Sequence, residues 1–130
     1  MKNNLKILLV EDDPDDVEFL ETAFQEKGIP SEFYVISQGD KVLTYLAACE
    51  TLPDVLLLDL NIPKVHGKEI LKSIKASPKH QLLPVIILTT SSAKSDIDYC
   101  LATGAHHYFT KPTKLADFQK IIDAVVQTVK

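Results

Sequence analysis

The sequence predicts an α/β fold: a doubly wound, five-stranded parallel sheet covered by helices on both faces. Three observations predict it. Short runs that are apolar at nearly every position recur along the 130 residues, the pattern of strands buried on both sides. Each run is followed by a segment whose apolar residues fall three and four apart, the period of a helix packed on one face. No Gly/Ser linker, repeat or low-complexity tract breaks the alternation, so residues 1–130 read as one domain. Strands separated by helices pair in parallel through right-handed crossovers. Five strands are too few for an eight-stranded barrel, which leaves an open sheet.

The elements follow in order. Leu5 to Val10 is an apolar run interrupted by Lys6 alone, and it ends abruptly in Glu11-Asp12-Asp13-Pro14. Asp13 before Pro14 is a helix start, because proline fits the first helical turn. Val17, Leu20 and Phe24 then mark one helical face, and Gly28 a stop. Phe33 to Ile36 is the second strand, and Val42, Leu43, Leu46 and Ala47 a short second helix. Val55 to Leu58 is the third strand, closed by Asp59; Ile70, Leu71 and Ile74 follow on a third helix after Gly67. Val85 to Leu88 is the fourth strand, closed by Thr89-Thr90-Ser91-Ser92; Ile97, Cys100 and Leu101 mark a fourth helix ending near Gly104. Tyr108 and Phe109 give the fifth strand, closed by Lys111-Pro112. Leu115, Phe118, Ile121, Ile122, Val125, Val126 and Val129 form the clearest amphipathic helix.

Composition narrows the function. The chain is 45% hydrophobic and 25% charged with a net charge of -4, which suits a globular domain and argues against a basic nucleic-acid-binding module. The longest apolar stretch is four to five residues, far short of a membrane span, and the first residues lack the core of a signal peptide. Two cysteines, Cys49 and Cys100, read as small buried thiols in a reducing cytoplasm.

In an open parallel sheet, ligands bind beyond the carboxyl ends of the strands. Those ends carry Glu11, Asp12 and Asp13, then Asp59, then Thr89 and Thr90, then Lys111. Five of the six residues from Glu11 to Asp16 are acidic, and Asp59 adds a further negative charge nearby. Crowded carboxylates raise one another's pKa and cost stability unless something neutralises them. Oxygen-only donors suit a hard divalent cation, Mg2+ above all. An Asp carboxylate is also a competent phosphoryl acceptor. The transferring group needs positive charge and donors, which Mg2+, Lys111 and the Thr89 hydroxyl are of the right type to supply. Each residue alone has an ordinary reading: a solvated helix start, a turn, a strand-end hydroxyl, a surface lysine. Their coincidence at the ends of successive strands of one sheet favours the site.

Taken together, Ile7-Leu8-Leu9-Val10-Glu11-Asp12-Asp13-Pro14, Leu57-Leu58-Asp59-Leu60-Asn61-Ile62-Pro63, His66-Gly67, Ile87-Leu88-Thr89-Thr90 and Tyr108-Phe109-Thr110-Lys111-Pro112 match a known pattern in order and spacing. Over essentially its whole length the chain resembles the receiver domain of two-component response regulators, phosphorylated on Asp by a sensor histidine kinase. The resemblance implies a flavodoxin-like (βα)5 fold with strand order 2-1-3-4-5. It implies Asp59 as the phosphoacceptor, Asp12 as a direct Mg2+ ligand, Glu11 as the outer acid and the Asn61 backbone carbonyl as a further ligand. Lys111 would bind a phosphoryl oxygen, with the Lys111–Pro112 peptide cis, Thr89 would turn inward to the phosphoryl group, and Tyr108 would be the coupled switch aromatic. Glu-Asp-Asp-Pro with Leu-Asn-Ile-Pro, Thr-Thr-Ser-Ser and Tyr-Phe-Thr-Lys-Pro looks especially like one subgroup, the stand-alone regulators that partner bacteriophytochrome-type kinases.

Three positions depart from the commonest pattern. Glu11 stands for Asp, His66 precedes Gly67 where Asp is usual, and Thr90 adds bulk where Ala is frequent and would slow loss of the phosphoryl group. His66 reads as an exposed turn residue. His106 and His107 read as edge or surface residues rather than a metal pair, because neighbours in a strand face opposite sides. With no effector domain read after the fifth helix, output is expected through protein binding: a downstream target, a phosphorelay partner, the kinase itself or a homodimer.

Two rivals are weighed. A haloacid-dehalogenase-like phosphatase needs an Asp where Asn61 stands, and Asn cannot be a general acid. A pure binding module would not require Asp59, Asp12, Thr89 and Lys111 together. Other motifs fail. Gly67-Lys68 lacks the glycine spacing of a P-loop. An EF-hand from Asp59 would need glycine at Lys64. No Cys/His spacing fits structural zinc.

Overall fold

The protein is described here by a computed structural model covering residues 4–129. Met1–Asn3 and Lys130 lie outside the described residues, and with them the signal-peptide reading at Met1 and the chain-end reading at Lys130. Strands β1 (Leu5–Val10), β2 (Ser31–Ile36), β3 (Val55–Leu58), β4 (Val85–Thr89) and β5 (His107–Thr110) form one sheet in the order 2-1-3-4-5. All four pairings are parallel. Helices α1 (Pro14–Glu26), α2 (Val42–Ala48), α3 (Gly67–Ala76), α4 (Lys94–Thr103) and α5 (Gln119–Thr128) connect and follow them.

The apolar strands divide their side chains between two cores, as the two-residue period of a strand requires. Leu8, Val10, Leu56, Leu58, Val85 and Ile87 face α2, α3 and α4, and pack with Val42, Leu46, Ile70, Leu71, Ile74 and Cys100. Ile7, Leu9, Val55, Leu57, Ile86 and Leu88 face α1 and α5, and pack with Leu20, Phe24, Ile121, Ile122 and Val125. Every residue of β3 and β4 is buried, which is why Val55–Leu58 and Val85–Leu88 contain no polar position and Thr89, the last residue of β4, is the one buried hydroxyl there. The edge strands are less covered: β2 buries only Ile36, and no residue of β5 is fully buried.

The first helix begins and ends where its sequence directs. The Asp13 side chain accepts a hydrogen bond from the Asp15 N–H at 2.9 Å, and Pro14 occupies the first turn. At the far end Gly28 has φ 68°, letting Gly28 N–H reach Gln25 O at 3.0 Å and Ile29 N–H reach Phe24 O at 3.1 Å. Elsewhere the boundaries shift. β2 starts at Ser31 rather than Phe33, α4 starts at Lys94, and Leu115–Phe118 is a 3-10 turn that precedes α5. Leu101, expected on the packed face of α4, is exposed; it follows buried Cys100 and so points about 100° away around the helix. Cys49 is half-buried, and both thiols are free.

Strand order reverses between β1 and β3. The connections from these two neighbours leave toward opposite sides of the sheet, opening a crevice at their carboxyl ends.

Candidate functional site

Glu11, Asp59 and Lys111 are each one residue past their strand, and each is held by the sheet's own hydrogen bonds. The Glu11 N–H donates to Ile36 O at 3.0 Å, and the Asp59 N–H to Val10 O at 3.1 Å. The Lys111 N–H donates to Thr89 O at 2.7 Å. The ladder therefore continues past the apolar runs and aims these side chains at the crevice. Gly67, the first residue of α3, lets the helix approach the loop behind Asp59. A Cβ there would lie 2.6 Å from Asp59 O and 2.6 Å from Leu60 Cα, so only glycine fits.

The Lys111 ammonium sits among three carboxylates: Glu11 Oε1 at 2.7 Å, Asp16 Oδ2 at 2.8 Å and Asp59 Oδ2 at 2.9 Å. Glu11 and Asp59 are buried, whereas Asp12 is exposed. Asp59 Oδ1 accepts the Asn61 N–H at 3.1 Å, and Glu11 Oε2 the Asp13 N–H at 3.1 Å. Burial pushes the Glu11 carboxyl up to about 6 from an ordinary 4.5; the Lys111 and Asp13 hydrogen bonds pull it down only in part. Burial acts to lower the Lys111 ammonium, but hydrogen bonds to Asp16, Glu11 and Asp59 outweigh it and leave its pKa raised. Lys111 is thus firmly charged, and one cation faces more negative charge than it can balance.

Thr89 is fully buried at the end of β4, its hydroxyl 3.5 Å from the Ser91 N–H. Beyond it a second cluster begins. The half-buried Tyr108 donates its hydroxyl to Ser91 O at 2.9 Å, while its ring packs on the α2–α3–α4 core. Ser91 Oγ donates to Asp96 Oδ2 at 2.5 Å, and the other Asp96 oxygen pairs with Lys68 at the start of α3. Lys68 Nζ also lies 5.4 Å from the centre of the Tyr99 ring.

The structure brings Glu11, Asp12, Asp59, Asn61 and Lys111 to one crevice, with Thr89 at the neighbouring strand end. The Lys111–Pro112 peptide, expected to be cis, is trans, as are all peptides among the described residues; trans is the favoured isomer before proline by about 0.5–1 kcal/mol. His66 is exposed, but it also caps α3: its Nδ1 accepts the Lys68 N–H at 3.1 Å. His106 and His107 are both exposed, and His107 stacks on Phe109. Two participants escaped the sequence reading. Asp16 sat inside an acidic run that a helix start explains equally well. Asp96 pairs with residues 5 and 28 positions away, and no local pattern signals that.

The donor set fits a hard divalent cation. Glu11, Asp12 and Asp59 can each place one carboxylate oxygen within 4.8 Å of the others, all oxygen and all negative when ionised. A doubly wound sheet in this order, with such acids after β1 and β3 and a lysine after β5, is the arrangement that the receiver-domain resemblance implies. A family model for the response regulator receiver domain matches residues 7–123, and the chain belongs to that family. It is a response regulator of two-component signal transduction.

Among its relatives, the probable methanogenesis regulatory protein FilR2 of Methanothrix harundinacea is 32% identical, over 92% of this chain and 79% of that one. Response regulator Rcp1 of Synechocystis is 31% identical, over 92% and 84%; its Mn2+-bound crystal structure superposes with a TM-score of 0.81, at 30% identity over 92% and 90%. The phosphorylated cyanobacterial phytochrome response regulator RcpA superposes with a TM-score of 0.85, at 32% identity over 95% and 92%.

Proposed function

We propose that Asp59 accepts a phosphoryl group from a phosphorylated histidine of a sensor kinase, and that the resulting charge changes a protein-binding surface of this receiver domain. The observation that carries this reading is the placement of Asp59. Its buried carboxylate lies beside a charged lysine, within reach of two further acids that complete an oxygen-only cation site. In the transfer, an Asp59 oxygen forms the new P–O bond as the P–N bond to the donor histidine breaks, and the departing imidazole nitrogen keeps the electron pair and takes a proton. A bound Mg2+ would shield the incoming negative oxygens; Glu11, Asp12, Asp59 and the Asn61 carbonyl are the groups that would hold it. Lys111 binds the phosphoryl oxygens, and the Asn61 N–H fixes the acceptor's orientation. The chain's own residues thus promote the transfer and the later hydrolysis without turning over a separate substrate.

The switch lies two residues beyond Thr89, at Ser91. A phosphoryl group drawing the Thr89 hydroxyl inward pulls on Ser91, which holds both Tyr108 and Asp96. Releasing Ser91 frees Tyr108 to rotate and alters the face formed by α4, β5 and α5. The name of RcpA, a phytochrome response regulator, supports a phytochrome-type kinase as the partner.

The test is incubation with acetyl phosphate, resolved on a phosphate-affinity gel. Wild type with Mg2+ yields a shifted band; wild type with EDTA and Asp59→Asn do not. An equal shift in Asp59→Asn removes Asp59 from the role. No shift in wild type that binds Mg2+ favours a receiver fold used only for binding.

A further inference from the structure

An ammonium group carries three N–H donors; Lys111 donates to Asp16 and Asp59 and is ion-paired with Glu11. These three partners are not equivalent. Glu11 and Asp59 belong to the set whose oxygens converge on a cation site; Asp16 does not. When Glu11 and Asp59 turn to a cation and a phosphoryl group, Lys111 loses two of its partners. Asp16 is the one that remains.

Its location suits that task. Asp16 lies in the first turn of α1, a turn fixed by the Asp13 cap and by the Val17 N–H bond to Asp13 O at 3.2 Å. Its side chain is 33% exposed against 12% for Lys111, so Asp16 meets the ammonium from the solvent side of the crevice. A lysine stem is long and flexible, and an ammonium without a fixed partner is dispersed over many rotamers.

We propose that Asp16 is a positioning residue for phosphoryl transfer: it tethers the Lys111 ammonium beside Asp59 after cation and phosphoryl oxygens have taken the lysine's other two partners. This rests on the assignment of Asp59 as acceptor. Asp16 touches neither the cation nor the transferring group; it acts through Lys111.

The experiment measures the rate constant for phosphorylation by acetyl phosphate in wild type, Asp16→Asn, Asp16→Ala and Asp16→Glu. Each is run at saturating Mg2+, with saturation set by a Mn2+ titration of that variant and folding checked by circular dichroism. Loss of one charge-assisted hydrogen bond slows Asp16→Asn and Asp16→Ala roughly tenfold. Asp16→Glu, which keeps the charge on a longer arm, restores the rate to within about threefold. A purely structural role would lower the thermal midpoint of the Ala variant without this pattern of loss and rescue. An Asp16→Asn rate equal to or above wild type overturns the proposal, as does an Asp16→Glu rate as low as that of Asp16→Ala. Should Asp16→Ala not fold, the near-isosteric Asn variant decides. A wild type that takes up no phosphoryl group overturns the acceptor assignment itself, and this inference with it.

Discussion

Two lysine–carboxylate clusters flank Thr89, and they differ in burial and in charge balance. On one side Lys111 is packed among Glu11, Asp16 and Asp59, its side chain 12% exposed. On the other Lys68 pairs with Asp96 at 31% and 22% exposure, and Asp96 holds Ser91. The inner cluster has more carboxylates than ammonium, in a setting that screens little; it is built to take up additional positive charge. The outer one matches one ammonium to one carboxylate in contact with water, where such pairs contribute little and part easily. The same chemical pair thus serves two purposes. On the proposed function, burial suits the inner cluster to phosphoryl chemistry, and exposure suits the outer one to a tie that a small loop movement can undo.

Removing the inner lysine breaks this contrast most severely. Lys111→Met leaves the Glu11 and Asp59 carboxylates buried without their counter-ion, a class of change that costs about 3 kcal/mol or more. Urea denaturation near neutral pH in EDTA is expected to show that loss, and added Mg2+ to recover part of it. A variant as stable as wild type in EDTA would mean that the carboxylates are solvated or protonated instead.

The two regions meet at Gly67, whose absent side chain leaves room for Asp59 O and Leu60 and whose neighbour is Lys68. Gly67→Ala forces the start of α3 away from the acceptor loop, with an expected cost of about 1–3 kcal/mol. Its thermal midpoint falls, and its phosphorylation by acetyl phosphate slows because Asp59 moves. A normal rate with a lowered midpoint would place the adjustment in α3 alone.

The sequence was most informative where local pattern and position in the sheet agree. Val55–Leu58 and Val85–Leu88 are apolar at every position because helices cover both faces, and a polar residue directly after such a run must emerge at the sheet's end. That is why Glu11, Asp59, Thr89 and Lys111 are legible in the sequence. Asp16 could not, because an acid in the first turn of a helix is favourable by itself. The Ser91–Asp96–Lys68 link could not either, since it depends on how α3 and α4 lie against each other. The cis form of Lys111–Pro112 is implied by the resemblance alone; the local sequence decides little between forms separated by so small an energy, and the peptide is trans.

Glu11 gives the comparison a pH dependence. Its pKa in the fold, about 6, exceeds the ordinary 4.5, so the folded protein holds this proton more tightly than the unfolded chain. The associated stability is fully present below about pH 4.5 and is lost as pH rises through about 6. Relative to Glu11→Gln, which cannot ionise, wild type is expected to lose about 1–2 kcal/mol across that window. Cation affinity changes in the opposite sense: Mn2+ binding strengthens as pH rises through about 6 and Glu11 ionises. A flat difference between the two proteins would show that Glu11 keeps an ordinary pKa.

The outer cluster yields the smallest effects. Tyr108→Phe removes one neutral hydrogen bond to Ser91 O, an expected loss of about 1 kcal/mol. Asp96→Ala should lower the thermal midpoint less than that, and salt separates the two clusters. Exposed pairs weaken as the screening length shortens, whereas buried ones change little between about 0.05 and about 0.5 M NaCl. The Asp96→Ala deficit therefore shrinks over that range, while the Lys111→Met deficit persists. If both deficits shrink alike, the inner cluster is as open to water as the outer one, and burial is not what separates the site from the switch.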